Sequence, residues 1–250
     1  MLDQKYEQFN TPEFIHSDPI SVPHSFSRKE DIEIAAFFSA LIAWGRRDLI
    51  VRNARKLMQL MDDAPYEFVM QADEEALSRL QFFVHRTFNG VDCRALVLSL
   101  RRVYQQAGGL EAVFCQALSP ADANVFPAIV AAREALVSHA AFPARTHKHL
   151  ANPASGSAAK RINMFLRWMV RRDGRSVDFG IWEGIGMHQL VCPLDVHTAR
   201  VGRKLGLLKR KQNDWKAAVE LTESLRAFCA ADPVRYDFSL FGLGVMEKFG

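Results

Sequence analysis

Two side chains of this 250-residue protein, Lys160 and Asp195, have the type and setting for covalent and acid–base chemistry. Lys160 follows Gly156-Ser157-Ala158-Ala159 at the expected start of a helix. Amides at a helix start can hold a phosphate, and a glycine lets a backbone approach closely. The same positive potential favours the neutral, nucleophilic form of a lysine amine placed there. Asp195 stands directly before the apolar-periodic run that begins at Val196, the position of an N-cap. A capping carboxylate is kept ionised by the helix start, so it can also act as a base or stabilise a cation facing it. The plainer readings, a solvent-facing lysine and a purely structural cap, stay open at this level.

The charge distribution points to a kind of partner. Between Ala141 and Lys211, fourteen Lys and Arg stand against four Asp and Glu, a net +10 that leaves −6 for the rest of a chain whose total is +4. A basic segment on an acidic body is what a polyanion-binding face looks like, because each phosphate neutralised releases a counterion. A solvated surface that is merely basic is the competing reading.

Other classes are disfavoured. With 49% hydrophobic and 24% charged residues, and only 14 Gly and 10 Pro, the chain has the composition of an ordinary globular protein. Apolar stretches such as Ile34 to Trp44 reach about half the roughly 20 residues of a membrane span, and residues 1–7 show no leader pattern. A cytoplasmic, nucleoid-associated location without membrane contact is therefore expected. Cys93, Cys115, Cys192 and Cys229 form no C-x-x-C pair, so buried reduced thiols are expected, with no metal and no cofactor.

The elements that must position Lys160 and Asp195 read as helices throughout. Residues 1–27 carry Pro12, Pro19 and Pro23 and are expected to be an extended N-terminal arm. Arg28 to Trp44 is apolar almost all round and predicts a central helix ended by Gly45. Asp48 is placed to cap the next helix, whose stripe is Ile50, Ala54, Leu57 and Met61. Further core stripes run through Leu77 and Leu80, Leu96 to Val103, Val113 to Ala117, and Ile129 to Leu136. Later stripes comprise Ile162, Phe165 and Met169, then Val196, Ala199 and Leu205, then Trp215, Ala218, Thr222, Leu225 and Cys229. No sustained period-2 alternation occurs. The fold class is all-α, with an N-terminal helical subdomain at 28–140, a basic one at 141–250 and a groove between them.

Pro193-Leu194-Asp195-Val196-His197-Thr198-Ala199-Arg200-Val201, followed by Lys204-Leu205-Gly206-Leu207, resembles the Val-Asp-Thr-His-x-x-Arg-Val segment of the helix-hairpin-helix (HhH-GPD) DNA glycosylase superfamily. Ala36 to Asp48, with Ala40-Leu41-Ile42-Ala43-Trp44-Gly45-Arg46-Arg47-Asp48, is similar to the family's apolar helix and the DNA-facing turn that ends it. The usual Leu-Pro-Gly-Val-Gly hairpin is replaced by Asn152 to Ala159, and Lys160 and Asp195 stand 35 residues apart. Both features resemble the archaeal 8-oxoguanine DNA glycosylase branch and a bacterial family related to it.

The resemblance implies a base-excision repair glycosylase, and an AP lyase as in those members that also cut the strand, acting as a monomer on double-stranded DNA that contains a damaged base such as 8-oxoguanine. Lys160 would be the nucleophile and Asp195 the acid/base. Arg46, Arg47, Gly156, Ser157, Arg161, Arg200, Arg203 and Lys204 would contact DNA. Trp44, Trp168, Phe179 and Trp182 are candidate aromatic faces for an extruded base, with core packing as their commoner use. The rival readings are a non-catalytic nucleic-acid-binding protein on the same scaffold, and a helical protein whose basic segment meets an acidic partner.

Overall fold

The computed structural model describes residues 1–138 and 141–249, and these are predominantly helical. The chain opens with α1 (Leu2–Phe9) and α2 (Glu13–Ser17), followed by α3 (Lys29–Leu41), α4 (Arg47–Leu60), α5 (Pro65–Gln71) and α6 (Glu74–Ser78). A two-residue antiparallel hairpin, β1 (Val84–His85) with β2 (Phe88–Asn89), pairs Val84 with Asn89 and His85 with Phe88. Then come α7 (Gly90–Ala107), α8 (Leu110–Cys115), α9 (Phe126–Val137), α10 (Lys160–Val170), α11 (Val196–Lys204), α12 (Trp215–Arg226) and α13 (Asp237–Phe241). Among the described residues no helix is long and apolar enough to cross a membrane.

The structure corrects several local expectations. The first 27 residues are not an extended arm, because the first proline is Pro12 and α1 forms before it. Pro19 and Pro23 each begin a short 3₁₀ turn, where a missing amide hydrogen costs nothing. Helix α3 stops at Leu41 rather than at Gly45, and α4 begins directly after Arg46 with no side-chain cap, which places Asp48 inside its first turn. A carboxylate is favourable there through the helix dipole, so the same residue serves without being the cap. Ala117 is exposed beyond the end of α8.

Two compact units form, and neither is one consecutive segment. The first comprises Met1–Phe14, Leu118–Pro127 and Asn152–Gly250, and the second comprises Ile15–Ala117 and Ala128–Ala151. The division expected at 27/28 is thus displaced, and the one expected at 140/141 falls on residue 140, outside the described residues. In the second unit α3 is buried along Ile32 to Leu41, and its buried Glu33 accepts a hydrogen bond from the Tyr104 hydroxyl at 2.7 Å. A reciprocal cap of Asn89 and Asp92 starts α7, and Gly108, at φ +84°, ends it.

In the first unit, the N-terminal α1 lies against α13 so closely that a Cβ on Gly242 would meet the Phe9 ring at 2.1 Å. The same unit buries a polar network. Arg171, fully buried, donates to Asp232 at 2.9 Å, to Asp178 at 3.0 Å and to the Tyr6 hydroxyl at 2.8 Å, and pairs with Asp173 at 2.7 Å. One turn earlier Arg167 donates to Asp178 at 3.2 Å and to Asp237. Its guanidinium also sits 4.4 Å from the centre of the Phe238 ring.

Removing one member of a buried, hydrogen-bonded charge cluster strands its partners, which costs about 3–5 kcal/mol. Arg171→Met is therefore expected to lower unfolding stability by that amount in urea denaturation, and a loss within the error of the method would refute the structural role of the cluster.

Candidate functional site

Lys160 and Asp195 meet. The first turn of α10 carries Lys160, α11 begins after Asp195, and the Lys160 Nζ lies 3.0 Å from an Asp195 carboxylate oxygen. Both side chains remain reachable from solvent, Lys160 at 34% and Asp195 at 18% exposure, so the pair lines a surface rather than a core.

The turn before Lys160 is built from local hydrogen bonds. Asn152 accepts from the Ala154 amide at 3.0 Å and donates to the Ser155 hydroxyl, and Gly156 takes φ +86° with open space where a Cβ would be. The Trp215 amide donates to the Gly156 carbonyl at 3.0 Å, which ties the turn to the start of α12. Ala159, immediately before Lys160, has φ +49°, a left-handed conformation that is unfavourable for alanine by about 1–2 kcal/mol. It is held there because Ser157 accepts from the Ala159 amide and Asn163 donates to the Ala158 carbonyl. Strain of this kind persists where surrounding contacts over-determine the backbone, and it concentrates at functional sites.

Asp195 uses one oxygen for the helix and the other for the lysine. Its Oδ1 accepts from the amides of His197 and Thr198, both at 2.9 Å, while Oδ2 faces Lys160. Burial pushes its carboxyl up, but the charge of Lys160, the Thr198 amide and the Lys160 hydrogen bond together hold it below the ordinary carboxylate range. The resting site is therefore an ion pair.

Asp237 was not among the residues singled out from the sequence. It is buried, close enough to Lys160 and Asp195 for both charges to act on it, and burial pushes its carboxyl up to about 6 against the pull of Arg167. Cys192, two residues before Leu194, has its Sγ 3.9 Å from Asp237, and its amide donates to the Thr222 hydroxyl at 2.9 Å. The signal that could have revealed this layer is the spacing of Arg167 and Arg171, four residues apart among the apolar residues at and after the end of α10.

The remaining candidates divide. Gly156, Ser157, Arg46, Arg200 and Lys204 are exposed. Arg46 makes two hydrogen bonds to Asp48, Arg200 donates to the Gly244 carbonyl at 3.2 Å, and the Lys204 ammonium stands 4.5 Å from the centre of the Phe249 ring. Arg203 donates to the carbonyls of Arg210 and Lys211 and to Asn213, which makes it a brace for its own loop. Arg161 is half-buried, and burial lowers its guanidinium pKa to about 10. Arg47 is half-buried at the first turn of α4, in the other unit.

The basic segment is not one external face, since Arg167 and Arg171 are spent inside the first unit and Arg145 pairs with the buried Asp92. Trp168 and Trp182 are fully buried, whereas Phe179 is half-buried and Trp44 is half-buried and stacked on His149. Of the four free cysteines, Cys93 and Cys192 are buried and Cys115 and Cys229 are partly exposed.

Fold and site together describe a helical protein with a solvent-accessible lysine–aspartate pair at two helix starts. Over residues 18–246 the chain matches the model of a family described as a protein of unknown function (DUF2400), and it belongs to that family. No curated protein and no solved structure matches it.

Two predictions follow from this geometry. Asp195→Ala removes a cap that serves two amides and is expected to cost about 1–2 kcal/mol in chemical denaturation, whereas Asp195→Asn, itself a good cap, retains most of that stability; equal losses would show that the cap is not the structural contribution. For Asp237 the folded value of about 6 lies above the ordinary 3.8, so its contribution is complete below about pH 4 and is lost as pH rises through 6. The melting temperature of Asp237→Asn relative to the natural protein should accordingly rise between those pH values, and a flat difference would contradict the raised carboxyl.

Proposed function

We propose that this protein is a DNA base-excision enzyme of the HhH-GPD glycosylase type, in which Lys160 is the nucleophile and Asp195 its charged partner. The observation that carries the reading is the 3.0 Å approach of these two residues, which stand 35 apart in the sequence, at a surface that a substrate can reach. The helical architecture and the strained turn before Lys160 are compatible with it.

In the proposed reaction a damaged nucleotide is extruded from the duplex, at an unstacking cost of a few kcal/mol that is smallest for a lesion. The Lys160 amine forms a bond to C1′ while the bond from C1′ to the base breaks, and the base leaves with the bonding electrons and acquires a proton. Opening of the sugar ring then gives a Schiff base between Lys160 and C1′, from which β-elimination can cut the strand. Attack requires the Lys160 ammonium to surrender a proton, through Asp195 to water, and water returns one to the departing base. The depressed carboxyl makes Asp195 a weak base in the resting pair and a strong stabiliser of positive charge developing on the sugar. Gly156, Ser157, Arg161, Arg200 and Lys204 would contact the phosphates beside it, and Arg46 and Arg47 are proposed as DNA contacts of the second unit.

Borohydride reduces a Schiff base to a stable amine and so tests this directly. Duplexes carrying 8-oxoguanine should yield a covalent complex with the natural protein, none with Lys160→Gln, and a rate lower by at least tenfold with Asp195→Asn, on the order of the contribution of one charge-stabilising group. Trapping that persists in Lys160→Gln would remove the lysine from its role. Salt-sensitive duplex binding with neither base release nor trapping on an 8-oxoguanine or an abasic duplex would favour the non-catalytic DNA-binding reading.

A further inference from the structure

The unit that does not carry Lys160 and Asp195 has a cavity of about 760 Å³ against one face of α4. Arg47, Arg52, Arg55 and Lys56 line it from the helix, and His16 and Ser17 line it from the end of α2. The one acid on its wall is Asp48, whose carboxylate is already engaged by Arg46 through hydrogen bonds of 3.1 and 2.7 Å. Arg52, Arg55 and Lys56 are exposed, and no hydrogen bond or ion pair engages any of them among the described residues.

Such a row is unfavourable by itself. Arg52 stands three residues from Arg55 and four from Lys56, the spacings at which like charges on a helix repel. The opposite side of α4 buries Ile50, Ala54, Leu57 and Met58, so the helix is a fixed platform and the cations cannot spread apart by moving it. A ligand that brings repeated negative charge relieves the repulsion. From Arg47 to Lys56 the helix advances about 14 Å at roughly 1.5 Å per residue. That length corresponds to about four nucleotides of one strand at roughly 3.4 Å of axis each. An extended row with this reach fits a run of phosphodiesters better than one compact anion, and guanidinium groups are suited to phosphate oxygens.

We infer that this face of α4 is a nucleic-acid backbone site, in which Arg52, Arg55 and Lys56, with Arg47 and His16 beside them, hold successive phosphates of DNA. The choice of DNA over other polyanions rests on the function proposed above. The charge count along the chain did not reveal the face, because α4 lies outside the basic 141–211 segment and its excess is averaged away in an acidic remainder.

The full-length protein, Arg52→Gln/Lys56→Gln, Arg55→Gln and Lys160→Gln should be compared for binding to a short undamaged duplex across a salt series. Each phosphate contact contributes about 0.9 to the slope of log affinity against log salt. The double variant is expected to bind more weakly at low salt with a slope shallower by about 1.8, Arg55→Gln with one shallower by about 0.9, and Lys160→Gln to keep this α4-dependent term. Unchanged slope and affinity in both α4 variants, or no duplex binding by the natural protein, would overturn the inference. Titration with inorganic phosphate, followed by the amide resonances of α4, separates the sources: saturation by free phosphate with no response to duplex would also overturn it, in favour of a small-anion site. Because binding is read without damaged DNA or borohydride, failure of Lys160 to trap would leave this outcome standing, and failure of the α4 variants to alter binding would leave the trapping result standing.

Discussion

Arg167 in the last turn of α10 and Arg171 just after its end are both buried, and a buried guanidinium cannot shed its charge, so the surrounding chain must supply acceptors. Four aspartates do so. Asp173 and Asp178 come from the loop after α10, Asp232 from the turn after α12, and Asp237 from the start of α13. The Tyr6 hydroxyl of α1 accepts from Arg171 and donates to Asp173, which draws the first helix of the chain into the same cluster. One electrostatic requirement thereby fixes the loop after α10, both terminal regions and the direction of α10 within this unit.

The lysine–aspartate pair stands on that arrangement. Lys160 is the first residue of the helix that carries Arg167 in its last turn and is followed by Arg171, and Asp195 follows Cys192, whose amide is held by Thr222 and whose sulfur faces Asp237. Burial pushes the Asp237 carboxyl up against the pull of Arg167, and the charges of Asp195 and Lys160 act on it as well. A surface ion pair is ordinarily weak and mobile. Here each partner leaves a helix start whose body is anchored in the core, and this holds the two groups at a fixed separation without demanding that their heads be buried.

The second unit works by different means. Its core is apolar, α3 is buried along most of its length, and it buries separate polar clusters, Tyr104 on Glu33 and Asp92 with Thr146 and Arg145. Its charges are carried outward, and α4 concentrates them on the side away from the core. Arginine thus serves two ends: Arg167 and Arg171 as buried ties between distant segments of the first unit, and Arg52 and Arg55 on the outward side of α4 in the second.

The sequence alone determined the helical class and most core stripes and marked Lys160 and Asp195 as candidates, because those readings depend on 3.6-residue periodicity, on cap chemistry and on a short segment around Asp195; their 3.0 Å approach came from the tertiary structure. Cap residues act on amides two or three positions away, so Asp195 was legible as a helix start before any folding was known. The ends of α3 and α4 were misplaced because Gly45 and Asp48 are permissive signals, and the final boundaries follow the packing around Ile42 and Ile50. Tertiary structure alone decided which of the clustered cations are internal. Arg167 and Arg203 read identically as basic residues, yet one is buried between Asp178 and Asp237 and the other braces a surface loop. It also brought Asp237 beneath a pair 42 and 77 residues earlier in the chain. Local rules reach about one helical turn, whereas the sign and strength of a charge's surroundings are set by segments that only folding brings together.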